Sequence, residues 1–447
     1  MHTVASTGEP LRVAVVGTGH VGLVTAGTMA AIGHHVVGVD SDRSKIERLE
    51  GGECPFFEPG LHELLFGRQG PGRLEFATGT TAAVDGADVV FICVGTPARA
   101  TGEANLVAVE QAAREAAAGL SGRAVIVEKS TVPAGTAHRL RQTLARVWRG
   151  SIDHLAVASN PEFLREGRAV EDSLFPDRIL VGAEEDWAFE TMRRLYQPIT
   201  EAGARLIETD ITTAELAKHA CNAYLALKIS YANALARLCE RAGADVEAVA
   251  DVMGSDARIG RQFLNAGLGY GGYCFPKDIQ AFRRLASELG YDFGLLDEVV
   301  RINEDAVESV IDKVREALWN LEDKRTALFG LSFKPGTDDV RFSPSLKLAA
   351  RLIEEGAACT GYDPEAADNA AREVPALEIC PTPYEAARGA HCVVISTEWE
   401  EFAQLDLAKL QEVMAYPIIA DGRNLFDYPA MRAHGFAYYP TGRAPLT

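Results

Sequence analysis

The sequence lacks the features that mark several large protein classes. No apolar run approaches the roughly 18 residues that a helix needs to cross a bilayer. Eight cysteines in 447 residues are too few for a disulfide scaffold. The closest two, Cys380 and Cys392, are twelve positions apart, so there is no CxxC-type zinc knuckle or redox pair. Low-complexity tracts are absent. Basic residues are in deficit: 44 Lys and Arg against 63 Asp and Glu leave a charge of −19, which argues against broad binding to nucleic acid or anionic membrane. Met1–Pro10 has neither an apolar core nor a basic cluster, so it reads as a frayed tail rather than a signal peptide. The chain left by these exclusions is soluble, reduced and cytoplasmic, of ordinary composition (47% apolar, 24% charged). At roughly 150 residues per domain it holds about three domains.

What is present begins with LRVAVVG at 11–17, a β-branched run of the kind buried on both faces of a parallel sheet. GTGHVG (17–22) follows, then an Ala-rich helix from Leu23 to Ile32, closed by Gly33, and a second strand, Val36–Val39, ending at Asp40. Strand, GxGxxG, helix, strand and acid together form a dinucleotide-binding unit. Gly17 allows the tight turn, Gly19 lets the backbone approach a pyrophosphate, and Gly22 lets helix and strand pack closely, with His20 and Val21 between them. Asp40 would accept hydrogen bonds from the adenosine ribose and repel a 2′-phosphate, which favours NAD over NADP; Arg43 nearby is the residue that could receive such a phosphate. Further strands end in Gly95-Thr96-Pro97, Lys129-Ser130-Thr131 and Asn160-Pro161-Glu162. Polar groups at strand C-terminal ends face the ligand crevice of such a sheet, which makes Thr96, Thr131 and Glu162 candidates.

From Ile211 the rhythm changes to a helix of about 30 residues, with a TTAE capping box that puts Thr212 at the N-cap and Glu215 at N3. Lys218 and Asn222 share one face of it. Residues 267–278, GLGYGGYCFPKD, then combine four glycines, able to wrap closely around a ligand, with Cys274 and with Pro276 as an expected first helical residue. A cysteine at a helix N-terminus beside Lys277 is a candidate nucleophile, and Asp278 could orient water or take a proton. The other seven cysteines fall in strand or helix patterns and read as buried small apolar residues.

At Thr326 the βα rhythm returns: a strand over 326–333, a helix opened by Ser343-Pro344, and a strand running to Asp363. GHHVVGVD (33–40) and GAACTGYD (356–363) share Gly, Gly and Asp at positions one, six and eight. That supports a second nucleotide-binding-like α/β unit without a GxGxxG. Strand Ile418–Ala420 ends in Asp421-Gly422-Arg423-Asn424, and the tail after Tyr438 reads as loose.

VAVVGTGHVGLVTA, FICVGTP, EKSTVPAGT, NPEFLREGRAVED, AELAKHACNAYLALKISYANAL, DARIG, GLGYGGYCFPKD, FGLSFKPGTDD and DGRN occur in one order over about residues 11–430. In this the chain resembles the UDP-glucose/GDP-mannose dehydrogenase family. The resemblance implies two Rossmann-like doubly wound domains joined by a helical central domain with one long helix: residues 1–210 for NAD, 211–320 for the dimer seam, and 321–447 for the nucleotide sugar. It implies oxidation of a sugar C6 alcohol to a carboxylate with two NAD reduced, through a thiohemiacetal and a thioester on Cys274. Glu162 and Asp278 would serve as base or water-orienting groups, Lys218 and Asn222 would stabilise the oxyanion, and Thr131 would hold a water or hydroxyl. Lys45, Thr96, Thr131, Glu166, Lys277 and Arg341 would join the glycine loop and Asp40 around NAD. Glu162, Phe163, Leu164, Lys218, Asn222, Phe263, Tyr270, Gly271 and Lys334 would line the UDP-sugar site, Arg423 would pair with diphosphate or sugar, and Arg258 would reach a neighbouring protomer's site. A homodimer or higher homo-oligomer would form through the long helix; no metal is implied. DARIG and the phenylalanine of CFPKD favour UDP-glucose over GDP-mannose or UDP-N-acetylhexosamines. Two departures stand out: Tyr273 where the family has a small residue, which narrows the loop, and His20 where tyrosine is common, a change in packing next to the pyrophosphate. A two-electron hydroxyacid-type dehydrogenase, needing no Cys274, and a non-catalytic nucleotide-sugar binder are the alternatives.

Overall fold

A computed structural model describes residues 9–67, 74–97, 99 and 102–447. The first eight residues of the tail read above as frayed lie outside them. The chain divides into two compact units: one runs to Cys221 and includes Gln280–Leu289, and the other holds Asn222–Ile279 and Gly290–Thr447.

The first unit is built on an eight-stranded sheet: β1 (Arg12–Val16), β2 (His35–Val39), β3 (Leu74–Ala77), β4 (Val89–Ile92), β5 (Ala124–Glu128), β6 (Leu155–Ser159), β7 (Arg178–Gly182) and β8 (Arg205–Thr209). Their order is 3-2-1-4-5-6-7-8, parallel except for one antiparallel pair between β6 and β7, Ser159 opposite Gly182. The central strands are apolar on both faces because helices cover both. Val13, Val15, Phe91 and Val127 pack with Met29 and Leu195 on one side; Ala14, Val16, Ile92 and Ile126 pack with Val109 and Leu140 on the other.

The second unit contains a six-stranded parallel sheet of β9 (Arg325–Phe329), β10 (Ala358–Tyr362), β11 (Glu378–Ile379), β12 (Cys392–Ile395), β13 (Ile418–Asp421) and β14 (Ala437–Pro440), in the order 11-10-9-12-13-14. Renumbered from its own first strand, this is the 3-2-1-4-5-6 order that opens the first sheet, so both are doubly wound with a switch point beside their first strand. The correspondence reaches side chains. Asp40 accepts from Thr18 N and Oγ1 past β1, and Asp363 accepts from Leu331 N, Ser332 N and Ser332 Oγ past β9.

Several local expectations are corrected. The capping box at 212–215 does not form. Helix Ile211–Ala242 is capped by Asp210, which accepts from Thr213 N (2.9 Å) and Oγ1 (2.6 Å), and Glu215 turns to another helix. The strand expected over 326–333 stops at Phe329, because Gly330 takes a left-handed φ of 90° against Thr397. The helix expected to open at Pro276 opens at Cys274, placing the proline third, within the turn whose N–H groups have no intrahelical partner. The tail after Tyr438 is tied down: Tyr438 pairs with Leu446, Gly442 N donates to Glu240 Oε1 (2.8 Å) and Thr441 is buried. Among the other seven cysteines, Cys54 and Cys221 are half-buried and the remaining five are buried, while Cys54, Cys93 and Cys380 lie outside any helix or strand.

Candidate active site

In the first unit the glycine turn has the expected geometry. Gly17 sits at φ 98°, and a Cβ on Gly22 would collide with the Gly17 carbonyl, so both positions require glycine. A Cβ on Gly19 would enter open space, with nothing within 4 Å. Helix His20–Ala31 starts there with Gly19 as a cap that offers no side-chain acceptor and no acidic residue in the first turn, so its amide donors suit an anion. Asp40 stands at the end of β2. Burial opposes its ionisation, but hydrogen bonds from Lys45 Nζ (2.8 Å), Asp42 N and Thr18 bring its carboxyl down to about 2. It is therefore an anion throughout the working pH range. The turn and Asp40 fit a dinucleotide with unphosphorylated ribose. Replacing Asp40 with Ser should shift the NAD-to-NADP ratio of kcat/KM toward NADP by about tenfold or more, and an unchanged ratio would remove Asp40 from cofactor choice.

Sequence motifs did not reveal what His20 does. Its Nε2 lies 2.8 Å from Glu58 Oε2, and Glu58, buried, accepts from Gly167 N (2.7 Å) and Ala169 N (2.8 Å). His20 thus ties the dinucleotide turn to the segment after Glu162, more than the packing change expected. Burial lowers the imidazole pKa, but the Glu58 hydrogen bond and the charges of Glu166 and Glu162 outweigh it and raise the value overall.

The strand ends meet the long helix within this unit. Thr96 donates to the Thr131 carbonyl (3.0 Å), and His219 Nε2 lies 2.9 Å from the Val132 carbonyl. Glu215 accepts from Gly135 N (2.5 Å) and Ala137 N (2.8 Å), capping helix Thr136–Val147. Burial pushes Glu215 up to about 7, and burial plus the nearby Glu215 charge raises Glu128 well above its usual range. Lys218, one turn on, forms an ion pair with Glu162 (Nζ–Oε1 3.2 Å), both almost fully buried. Glu162 Oε2 also accepts from Leu164 N (2.6 Å). The Phe163 ring centroid lies 3.9 Å from the Arg178 guanidinium and 5.2 Å from Lys218 Nζ.

In the second unit Asn222 Nδ2 donates to Asp278 Oδ2 (2.6 Å), and Lys277 Nζ lies 2.9 Å from Asp278 Oδ1; all three are buried. Cys274, half-buried, is the first residue of helix Cys274–Glu288, so its sulfur sits at the positive end of the helix dipole. In the loop before it, the missing side chains make room for protein. Gly269 faces Asn303, Gly271 the Phe342 carbonyl, Gly272 the Phe333 ring and Gly267 the Gly422 carbonyl. Asn303 also brackets Tyr270, accepting from its N (2.7 Å) and donating to its carbonyl (3.1 Å). Tyr270 packs edge-on against Phe275, and Phe263, at φ 64°, lies 6.5 Å from the same ring. Tyr273 does not simply narrow the loop: its ring carries the Arg341 guanidinium at 4.5 Å and Lys277 Nζ at 5.6 Å. Lys334 Nζ lies over Phe333, Arg423 Nε bonds the Ser396 carbonyl (2.8 Å), and Arg258 is exposed, paired with Asp256.

A doubly wound domain with this turn and an acid closing β2 defines an NAD-binding protein, here with a buried lysine–glutamate pair at its strand ends. The comparisons with known proteins narrow the class. Residues 11–200 match the NAD binding domain of the UDP-glucose/GDP-mannose dehydrogenase family, 212–305 its central domain and 327–428 its UDP binding domain. The chain belongs to this family. It is 42% identical over 434 residues to UDP-glucose 6-dehydrogenase YwqF of Bacillus subtilis, covering 97% of this chain and 98% of that one. It is 43% identical over 437 residues to the UDP-glucose 6-dehydrogenase of Rhizobium meliloti, covering 97% and 100%. Among solved structures, a UDP-glucose dehydrogenase from Pyrobaculum islandicum superposes with a TM-score of 0.90 at 37% identity, over 98% of this chain and 99% of that one.

Proposed function

We propose that this dehydrogenase oxidises C6 of UDP-glucose to the carboxylate, giving UDP-glucuronate. The observation that carries the reading is the set Lys218–Glu162 and Asn222–Asp278, built on two successive turns of one helix, together with Cys274 at a helix start. NAD, when bound, supplies the acceptor for the hydride lost at each of two oxidations. The Cys274 thiolate adds to the C6 aldehyde, so the sulfur holds the intermediate that the second oxidation turns into a thioester. Lys218 and Asn222 donate to the C6 oxygen as negative charge develops on it. Glu162 and Asp278 take the alcohol proton or orient the water that cleaves the thioester, returning the thiolate. A simple alcohol–carbonyl interconversion needs no cysteine, which weighs against a hydroxyacid-type reaction.

NADH yield per sugar tests this across UDP-glucose, UDP-galactose, UDP-N-acetylglucosamine and GDP-mannose. Two NADH per UDP-glucose, with the highest kcat/KM for that sugar, is the expected result. One NADH per sugar supports the hydroxyacid-type alternative, and none with any sugar supports a binder.

The division into an NAD part (1–210), a central part (211–320) and a nucleotide-sugar part (321–447) belongs to the same reading. So does a homodimer through the long helix. Tyr224, Tyr231 and Leu238 are exposed at heptad spacing on it, an apolar stripe suited to a second copy. A monomeric mass in light scattering would exclude the dimer. No helix among the described residues is long and apolar enough to cross a membrane, and with the cysteines free a cytoplasmic site is proposed.

A further inference from the structure

Just behind Glu162 lies a charge that no step above uses. Lys129 follows β5 directly and is 8% exposed. Its Nζ donates to Asn160 Oδ1 (3.1 Å) and to the Asn160 carbonyl (3.4 Å), and it lies 5.6 Å from the centroid of the Phe91 ring. No carboxylate among the described residues forms an ion pair with it. Asn160 is held on every side. Its Oδ1 also accepts from Tyr196 OH (2.5 Å), its Nδ2 donates to the Leu180 carbonyl of β7 (2.7 Å), and its N–H donates to the Glu128 carbonyl of β5 (2.9 Å). Only Pro161 separates it from Glu162.

A buried cation with neutral partners is destabilising, and an apolar residue of similar length would remove that cost. Burial pulls the Lys129 pKa down; of the charges nearby, Glu162 favours its ionised form and Lys218 opposes it. Lys129, Asn160, Glu162, Phe163, Arg178 and Tyr196 line one cavity of about 300 Å³. Glu162 therefore stands in the field of two buried lysines, one of which it contacts.

We propose that Lys129 is a positioning residue for the dehydrogenase reaction. Through Asn160 it fixes the strand end that carries Glu162, and in the cavity it shares with Glu162 it adds a second positive charge to that of Lys218. This rests on the roles given above to Glu162 and Lys218. The groups that face Lys129 from its other neighbours are neutral near pH 7. They are Cys93 past β4, which burial pushes up to about 12, and Tyr196 on helix Asp186–Glu201, which burial also raises. The further charged groups lining the cavity with Glu162 are Arg165, Arg168, Glu171, Asp172, Asp177 and Arg178, and His20, whose pKa is raised, feels the Glu162 charge.

The test is the pH profile of kcat/KM for Lys129→Met and Lys129→Gln. With one cation removed, the carboxylate protonates at higher pH and Lys218 keeps its proton to higher pH. Both limbs should therefore move to higher pH, by about one unit, in the presence or absence of a second change, His20→Gln. Tyr196→Phe and Asn160→Ala, which remove hydrogen bonds but no charge, should lower the rate and leave the limbs in place. A lower rate with unmoved limbs in both Lys129 variants overturns the proposal, as does failure of both to fold, since a charge needed only by the fold gives those results. Glu162→Gln separates this from failure of the underlying reading. If it keeps the acid limb, the role of Glu162 is wrong. If it loses that limb while the Lys129 variants keep theirs, only the role of Lys129 falls.

Discussion

Cys274→Ser should stop the reaction between its two oxidations. The first hydride leaves C6 without help from the sulfur, so substrate binding and formation of the first NADH should persist. The second oxidation needs a tetrahedral adduct that can lose hydride to form an ester. A serine hydroxyl, with a pKa far above that of a thiol, is a poor nucleophile at neutral pH, and the oxygen ester it forms hydrolyses more slowly than a thioester. Complete turnover should fall by about 10³-fold or more, the scale on which loss of a nucleophile acts. A single-turnover experiment with enzyme in excess should show about one NADH per sugar rather than two, with sugar retained on the protein. Two NADH at an undiminished rate would falsify the covalent route while leaving the assignment to an NAD-dependent dehydrogenase intact. Sequence and structure contribute separately here. Cysteine, proline and lysine in CFPKD suggest a nucleophile, and the structure adds that Cys274 itself opens the helix.

Lys218→Met should have the second large effect, through a different quantity. Lys218 and Glu162 are 4% and 7% exposed at the side chain and 3.2 Å apart. Removing the lysine leaves a buried carboxylate whose remaining close donor is Leu164 N. Breaking a buried pair from one side costs about 3–5 kcal/mol, because the other charge loses its solvation without compensation. Urea unfolding at pH 8 should show a loss of that order. A second change, Glu162→Gln, should restore a large share of it, since a neutral pair has no ion to desolvate. Activity should not return with stability. An oxyanion donor is worth about 10²–10³-fold, and the double variant lacks both it and the carboxylate. If Lys218→Met unfolds like wild type, the pair is not the buried ion pair described here.

The fold was legible wherever strands are buried on both faces. β1 and β4 read as VAVV and VVFI because nothing polar can stand on either side of them. β8, half-exposed along its length, and β11, two residues long, carry no such signal. The TTAE motif at 212–215 was misleading for a physical reason: local spacing suits a capping box, but the partners of Glu215 are Gly135 and Ala137, about eighty positions back. Glu58 is invisible in the sequence for the same reason, as its partners are His20, Gly167 and Ala169. Lys129 and Asn160 belong to the strand-end triplets that supplied Thr131 and Glu162, and nothing in a triplet says which member turns toward a ligand and which turns inward. The glycines before Cys274 stand out in the sequence, but the protein groups that their missing side chains admit, Asn303, Phe333, Phe342 and Gly422, lie far from them in the chain.

Asp363 takes six donors from its own chain: Leu331 N, Ser332 N and Oγ, Trp399 Nε1, Glu365 N and Ala366 N. In a dinucleotide domain, part of that acceptor capacity is left over for a sugar. The second sheet has enclosed its acid: an indole and a serine hydroxyl both donate to the same carboxylate oxygen. An attempt to redesign the C-terminal sheet as a second cofactor site by restoring glycines after β9 alone should therefore fail, because its most suitable anchor is already fully engaged. Trp399 is the residue that would have to be cut away first.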